Sequence, residues 1–392
     1  MAVVAGVVFF VVRALLALAP ALALRRAIKK CAALAALLAA AFYLVLSGAE
    51  VATQRAFIMT AIVLVGIVAD RPALTLRNLA LAALGVLMVA PEAVVHPSFQ
   101  MSFAATLALV AAYERGLPWM MAGADTPLGA RIALWGGREV VMLVLASLVA
   151  GLATTLYAAY HFHRLAPYGV FANLLAMPMV SLVAMPSGVL ALVALPFGFD
   201  GPLWRLMGVG IEWMITVAVW VASLPGAVGR IAAFGVGPLL IGTAGLVLIC
   251  LLRTPLRWGG AAVLAVAILW AIQAVRPDVL VADGAFAVRT AGARLAILKT
   301  GHDSFAIREW LAADGDSRLP GDARLAEGFS CDPAGCIARL PDGALVSVAL
   351  GPDAFEEDCR RAALVLSPRT APPFCRATII DRTVWRQTGA LA

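Results

Sequence analysis

The chain has 392 residues, of which 62% are hydrophobic and 14% charged, with a mean hydropathy of +0.94 and a net charge of +7. Soluble proteins are nearer half apolar and a quarter charged, so most of this chain must meet lipid. A disordered chain, a coiled coil and a secreted disulfide miniprotein are excluded by the same composition. The positive balance reads first as a loop bias of membrane proteins and second as attraction to a polyanion such as nucleic acid.

A membrane span needs about 20 apolar residues. Taken in order, the apolar runs are 2–24, 32–47, 55–69, 74–90, 98–113, 138–160, 168–196, 206–224, 234–252 and 259–275, which makes ten candidate helices. Runs 55–69 and 74–90 are short, as expected of re-entrant or tightly packed segments. Run 168–196 holds Pro178 and Pro186 and is expected to kink or break, because each proline removes a ladder hydrogen bond. One alternating set of loops carries twelve cationic residues: Arg25, Arg26, Lys29, Lys30, Arg71, Arg77, Arg115, Arg131, Arg138, Arg205, Arg253 and Arg257. The other set carries three, Arg55, Arg164 and Arg230. The first set is therefore expected in the cytoplasm, and ten crossings put both termini outside. Run 2–24 is too long for a signal peptide and is followed by no small-residue cleavage site. A first helix entering from outside without a leader suggests a reading frame that begins inside a longer parent.

After Arg276 the texture changes. The stretch VLVADGAFAVRTAGARLAILKTG (279–301) alternates apolar runs with glycine-bearing turns and predicts two or three strands in hairpins. DSFAIREWLAAD (303–314) predicts an amphipathic helix capped by Ser304. GALVSVAL and AALVLSP predict further strands, giving a small α+β domain over 276–392 beside a membrane domain over 1–275. Four of the six cysteines fall in this tail: Cys331, Cys336, Cys359 and Cys375. They suggest two disulfides on an oxidising side of the membrane, with Cys331–Cys336 and Cys359–Cys375 closing the shortest loops. A zinc site is the rival, but CxxC spacing is missing. Cys31 and Cys250 lie in apolar runs and read as packing residues.

Three polar clusters interrupt the apolar runs. Glu50, Thr53, Gln54 and Arg55 crowd the mouth of one span. An intramembrane charge is costly unless it pairs or lines a wet cavity, so Arg55 reads as a pore residue, against the alternatives of a snorkelling anchor or an ion pair with Glu50. Gln100 and Ser102 open another span, where Phe99 and Phe103 share a face; the rings either pack or stack on bases. His96 is a lone loop histidine with no expected role. His161 and His163 are two apart, poor helical geometry for a metal. Asn173 precedes Pro178 and marks either a polar break in the membrane or an interhelical hydrogen bond.

LSGAEVATQRAFIM, PSFQMSFAATLAL and HFHRLAPYGVFANLLAMP, in that order and spacing, resemble the membrane core of the ComEC-type DNA-internalisation competence proteins. The resemblance covers most of 1–275. It implies a polytopic inner-membrane channel passing single-stranded DNA into the cytoplasm during natural transformation, with Gln54, Arg55, Gln100, Ser102 and Asn173 as candidate DNA-path residues. It further implies the bilayer, a separate nuclease, a DNA receptor and a cytoplasmic motor as partners, and a homo-oligomer as a possible state. Two features of the family are missing here: an N-terminal OB-like domain, and the HxHxDH motif of a metallo-β-lactamase-like nuclease. The chain has four histidines, and only His302 lies in the tail, so no two-zinc centre can be assembled there. The tail is expected to be a degenerate relic of that nuclease fold, with no catalytic residues, metal or cofactor. The alternatives are a transporter or flippase for another anionic substrate, and a non-functional fragment of the channel.

Overall fold

A computed structural model describes residues 1–18, 28–70, 75–115, 128–282, 284–301 and 304–389. The chain divides into two compact units: a helical one drawn from 1–161, 166–229 and 239–267, and a second one holding 268–392 together with the short segments 162–165 and 230–238.

The first unit opens with α1 (Ala2–Ala17), α2 (Ile28–Leu46), α3 (Val51–Val68), α4 (Leu76–Val89) and α5 (Pro97–Glu114). It continues with α6 (Leu128–Phe162), α7 (Gly169–Met179), α8 (Met185–Ala194), α9 (Gly201–Ser223), α10 (Val236–Leu251) and α11 (Arg257–Ile272). All ten apolar runs are thus largely helical. Among the described residues, four stretches are long and apolar enough to cross a membrane: Ile28–Leu46, Val140–Phe162, Gly169–Phe197 and Gly201–Ser223. Five others are shorter, Leu76–Val89 among them; its 14 residues rise about 21 Å, against ~30 Å of hydrocarbon. The part of run 2–24 beyond residue 18 and the start of run 74–90 lie outside the described residues.

Small residues let these helices approach. Ala5, Ala33, Ala36 and Ala40 form a buried seam with Leu64 between α1, α2 and α3. At the α10–α11 crossing a Cβ on Gly260 would lie 2.7 Å from the Gly245 carbonyl oxygen, so only glycine permits that contact. Run 168–196, expected to kink or break, keeps a continuous helical path but not a continuous α-helix. The helical path continues through a five-residue π stretch, Val180–Ala184, placed between Pro178 and Pro186. A π turn redistributes the ladder where prolines withhold their N–H groups, and the Ser187 hydroxyl donates to the Val183 carbonyl at 2.6 Å.

The second unit contains β1 (Val279–Ala282), β2 (Ala285–Arg289) and β3 (Leu295–Lys299), which pair antiparallel in sequence order. Its other strands are β4 (Ser330–Cys331), β5 (Gly335–Arg339), β6 (Leu345–Ala349), β7 (Leu364–Leu366) and β8 (Thr378–Ile380). These form a sheet of order β8-β7-β6-β5-β4, in which β6, β7 and β8 run parallel. The helices are α12 (Phe305–Asp314), α13 (Ala354–Arg361) and α14 (Arg382–Thr388).

Strand alternation sorts the core into layers. On β2, Ala285 and Ala287 face Ile307 and Leu311 of α12, whereas Phe286 and Val288 meet Val346, Val348 and Leu366 of the other sheet. Beyond that sheet, Phe355 and Cys359 of α13 pack on Ala349 and Val365. The order is helix, sheet, sheet, helix. Ser304 precedes α12 as expected, but its hydroxyl caps nothing; the other end closes on Gly315, at φ +74°.

Candidate functional site

The five residues singled out for a DNA path lie in the helical unit, and the structure joins some of them and separates others. Arg55 sits half-buried in the second turn of α3 and donates to the Ser98 hydroxyl at the start of α5. Glu50 is exposed and forms no ion pair with Arg55, so the internal-pair alternative falls. Two residues beyond Ser98, the Gln100 amide nitrogen donates to the Val94 carbonyl at 2.9 Å. Its oxygen, left as the acceptor, lies 2.8 Å from Nε2 of His161 near the end of α6, so Nε2 is the donor. Three helix ends are thereby tied together by polar side chains at one end of the unit.

The remaining candidates stay apart from this joint. The Gln54 amide donates to the Ala49 carbonyl at 2.7 Å, within its own turn. Ser102 is half-buried one turn further into α5, and its carbonyl accepts from Thr106. Asn173 is exposed on α7 and makes no interhelical side-chain hydrogen bond among the described residues. None of the five lines the apolar cavity of about 380 Å³ that Phe9, Met59, Leu64, Leu79 and Thr106 help to form. Phe99 and Phe103 pack against each other as a tilted pair, with centroids 4.3 Å apart and ring planes at 36°.

One sequence expectation is corrected here. His96 is not idle: its Nδ1 accepts from the Ser98 backbone N–H at 3.3 Å and caps α5. That contact also fixes the turn carrying Ser98. His161 is engaged through Nε2, which meets Gln100. Ser98 and the pairing of His161 with Gln100 escaped the sequence reading, although the PSFQ run and a histidine closing an apolar span were both visible.

The opposite helix ends are also bound together. Glu114 at the end of α5 accepts from the Leu76 N–H at 3.2 Å and pairs with Arg253 at 3.0 Å. Arg115 donates to the carbonyls of Ile249, Cys250 and Leu252 at the end of α10, at 2.6, 2.7 and 3.0 Å, satisfying groups every helix leaves orphaned. Lys30 meets Asp70 at 2.6 Å. Every cation in these contacts belongs to the set counted as cytoplasmic.

In the second unit Cys331 and Cys336 are bonded across directly opposed positions of β4 and β5, with Cα atoms 4.0 Å apart. Cys359–Cys375 ties α13 to the segment before β8, with Cα atoms 4.9 Å apart. Cys31 and Cys250 are free. Ser347 is fully buried and donates to the Asp358 carboxylate, whose own burial pushes its pKa above the ordinary value. Asp381 caps α14. Its burial would raise the carboxyl, but hydrogen bonds from Thr383, Ala371 and Val384 outweigh that and hold it below the ordinary range. His302 lies outside the described residues.

Fold and site define a helical membrane protein with a small α+β tail. The competence protein family model matches residues 1–256, and the chain belongs to that family, the one its polar motifs resemble. No curated protein and no solved structure matches the chain.

Proposed function

We propose that this protein is the inner-membrane channel component that moves single-stranded DNA into the cytoplasm during natural transformation, and that it is not itself an enzyme. Family membership carries the role in DNA uptake. The observation that supports a channel is the joint of Arg55 to Ser98 and of Gln100 to His161 at one end of the helical unit. A polyanion cannot cross hydrocarbon and needs a wet path lined by cationic or amide groups, and this is where such groups gather on three helices. All ten apolar helical segments cross the bilayer in this reading, the short ones by packing among the longer. The Arg55 end faces outward, because the Glu114, Arg115, Arg253 and Lys30 contacts gather at the other. The tail then lies in the periplasm, where its two disulfides persist. In this reading the tail is a degenerate relic of the nuclease fold with a binding or structural role.

The apolar cavity on the first helices favours a second reading, a flippase for a lipid-linked anionic substrate. Deleting the gene separates the two. The channel reading expects transformation to fail while DNA still reaches the periplasm; unchanged transformation frequency refutes it.

A further inference from the structure

We propose that a concavity on the second unit binds the phosphate of a nucleotide, free or within a strand. The concavity encloses about 630 Å³ where Arg276, the β2–β3 turn and the segments after α12 and before β4 converge. Ligand sites for small molecules span roughly 300–1,000 Å³, so a mononucleotide fits. Four guanidinium groups line it: Arg276, Arg294, Arg318 and Arg324.

Its floor carboxylates are already claimed. Asp314 receives Arg289 at 2.8 Å, with both side chains only 8% exposed. Asp316 receives Arg318 through two bonds of 2.8 and 2.6 Å. Above that floor the other three guanidinium groups look outward. Arg276 is 48% exposed, and its nearest carboxylate is Asp314, at 3.7 Å. Arg324 is 70% exposed and leans on Asp322, which lies outside the lining. Arg294 is exposed and has no side-chain partner among the described residues. The remaining lining carboxylate, Glu327, interacts electrostatically with Arg324, which leaves Arg294 as the lining cation with no acidic partner among the described residues.

The walls are cut low. Gly328 holds φ +110°, and a Cβ there would lie 2.6 Å from the Thr290 side chain. A planar guanidinium donates two parallel bonds to phosphate oxygens, and groups spaced around one concavity can grip a phosphate from several sides. A lone chloride would use neither the fork nor the volume.

The choice of nucleotide as the carrier rests on the DNA-uptake reading; the phosphate chemistry does not. The test uses the full chain in detergent micelles and measures binding of thymidine monophosphate, inorganic phosphate and a fluorescent oligothymidylate. The Arg276→Ala/Arg294→Ala double variant should weaken binding about tenfold or more and flatten the salt dependence. Arg294→Lys should retain part of the affinity. Binding of the oligomer alone supports a strand as the source, and binding of the monophosphate supports a small ligand. Absence of binding by all three probes, or equal binding by a double variant whose disulfides are intact, overturns the site. A channel that fails to pass DNA while phosphate still binds leaves this site standing and removes only the DNA-uptake reading.

Discussion

Replacing Arg55 by alanine removes the cation of the joint between α3 and α5 and leaves Ser98 on its capped turn. A hydrogen bond to a charged group is worth about 1.5–3 kcal/mol, and ~1.4 kcal/mol is a factor of ten. If Arg55 gives that bond to a passing phosphate, uptake into the cytoplasm should fall by about ten- to a hundredfold while periplasmic DNA accumulates. Arg55 is half-buried and bonds to Ser98, not Glu50, so Glu50→Ala should leave uptake close to normal. Ser98→Ala keeps the charge but frees its aim, and should cost less than Arg55→Ala. Arg55→Lys should keep partial function if charge suffices, and little if the fork is needed. The assay is transformation frequency beside separate scoring of periplasmic and cytoplasmic DNA, with protein level measured in each strain. Normal transformation in Arg55→Ala at normal protein level refutes the assignment; uptake falling only in step with protein abundance assigns the Ser98 bond to folding.

A phosphatase reporter fused after Ala392 should be active and one after Lys30 silent; the reverse pattern defeats the outward placement of the tail. Cys359→Ser should destabilise the tail by about 3 kcal/mol, since its bridge closes a 16-residue separation, and protease protection of the tail should fall accordingly. Gly260→Val drives a side chain into the Gly245 carbonyl and should cost at least about 1–3 kcal/mol, read as a lower melting temperature in detergent. Because Asp381 is held below its ordinary pKa, its contribution is present above the unfolded value of about 4 and is lost as pH falls through the folded one. Asp381→Asn should therefore weaken tail stability at pH 7 and flatten its acid dependence; an unchanged acid profile in tail unfolding assigns that stability elsewhere.

The placement of the helices was legible because long Ala, Leu and Val runs admit little else in lipid. Their ends were not, since hydropathy does not register where a helix stops: α6 reaches back to Leu128 through a Gly-Gly pair that lay outside the expected run. The π stretch was hidden because two prolines signal lost hydrogen bonds without saying how the ladder adjusts. In the tail, β2 and β6 were visible as apolar runs. Helix α13 was not, because only Phe355 and Cys359 of its eight residues are buried. At the site, Arg55 and Gln100 stood out as costly polar groups in apolar runs. Their partners did not, because a serine at a helix start and a histidine at a helix end are unremarkable until the fold brings them together, 43 and 61 positions away.

The Gln100–His161 contact has a direction. With its nitrogen spent on the Val94 carbonyl, the glutamine side chain offers the imidazole an acceptor alone. The latch between α5 and α6 therefore requires an acceptor at position 100 and a donor at position 161, so it discriminates between side chains of nearly the same size: Gln100→Glu would keep the bond and Gln100→Met would lose it.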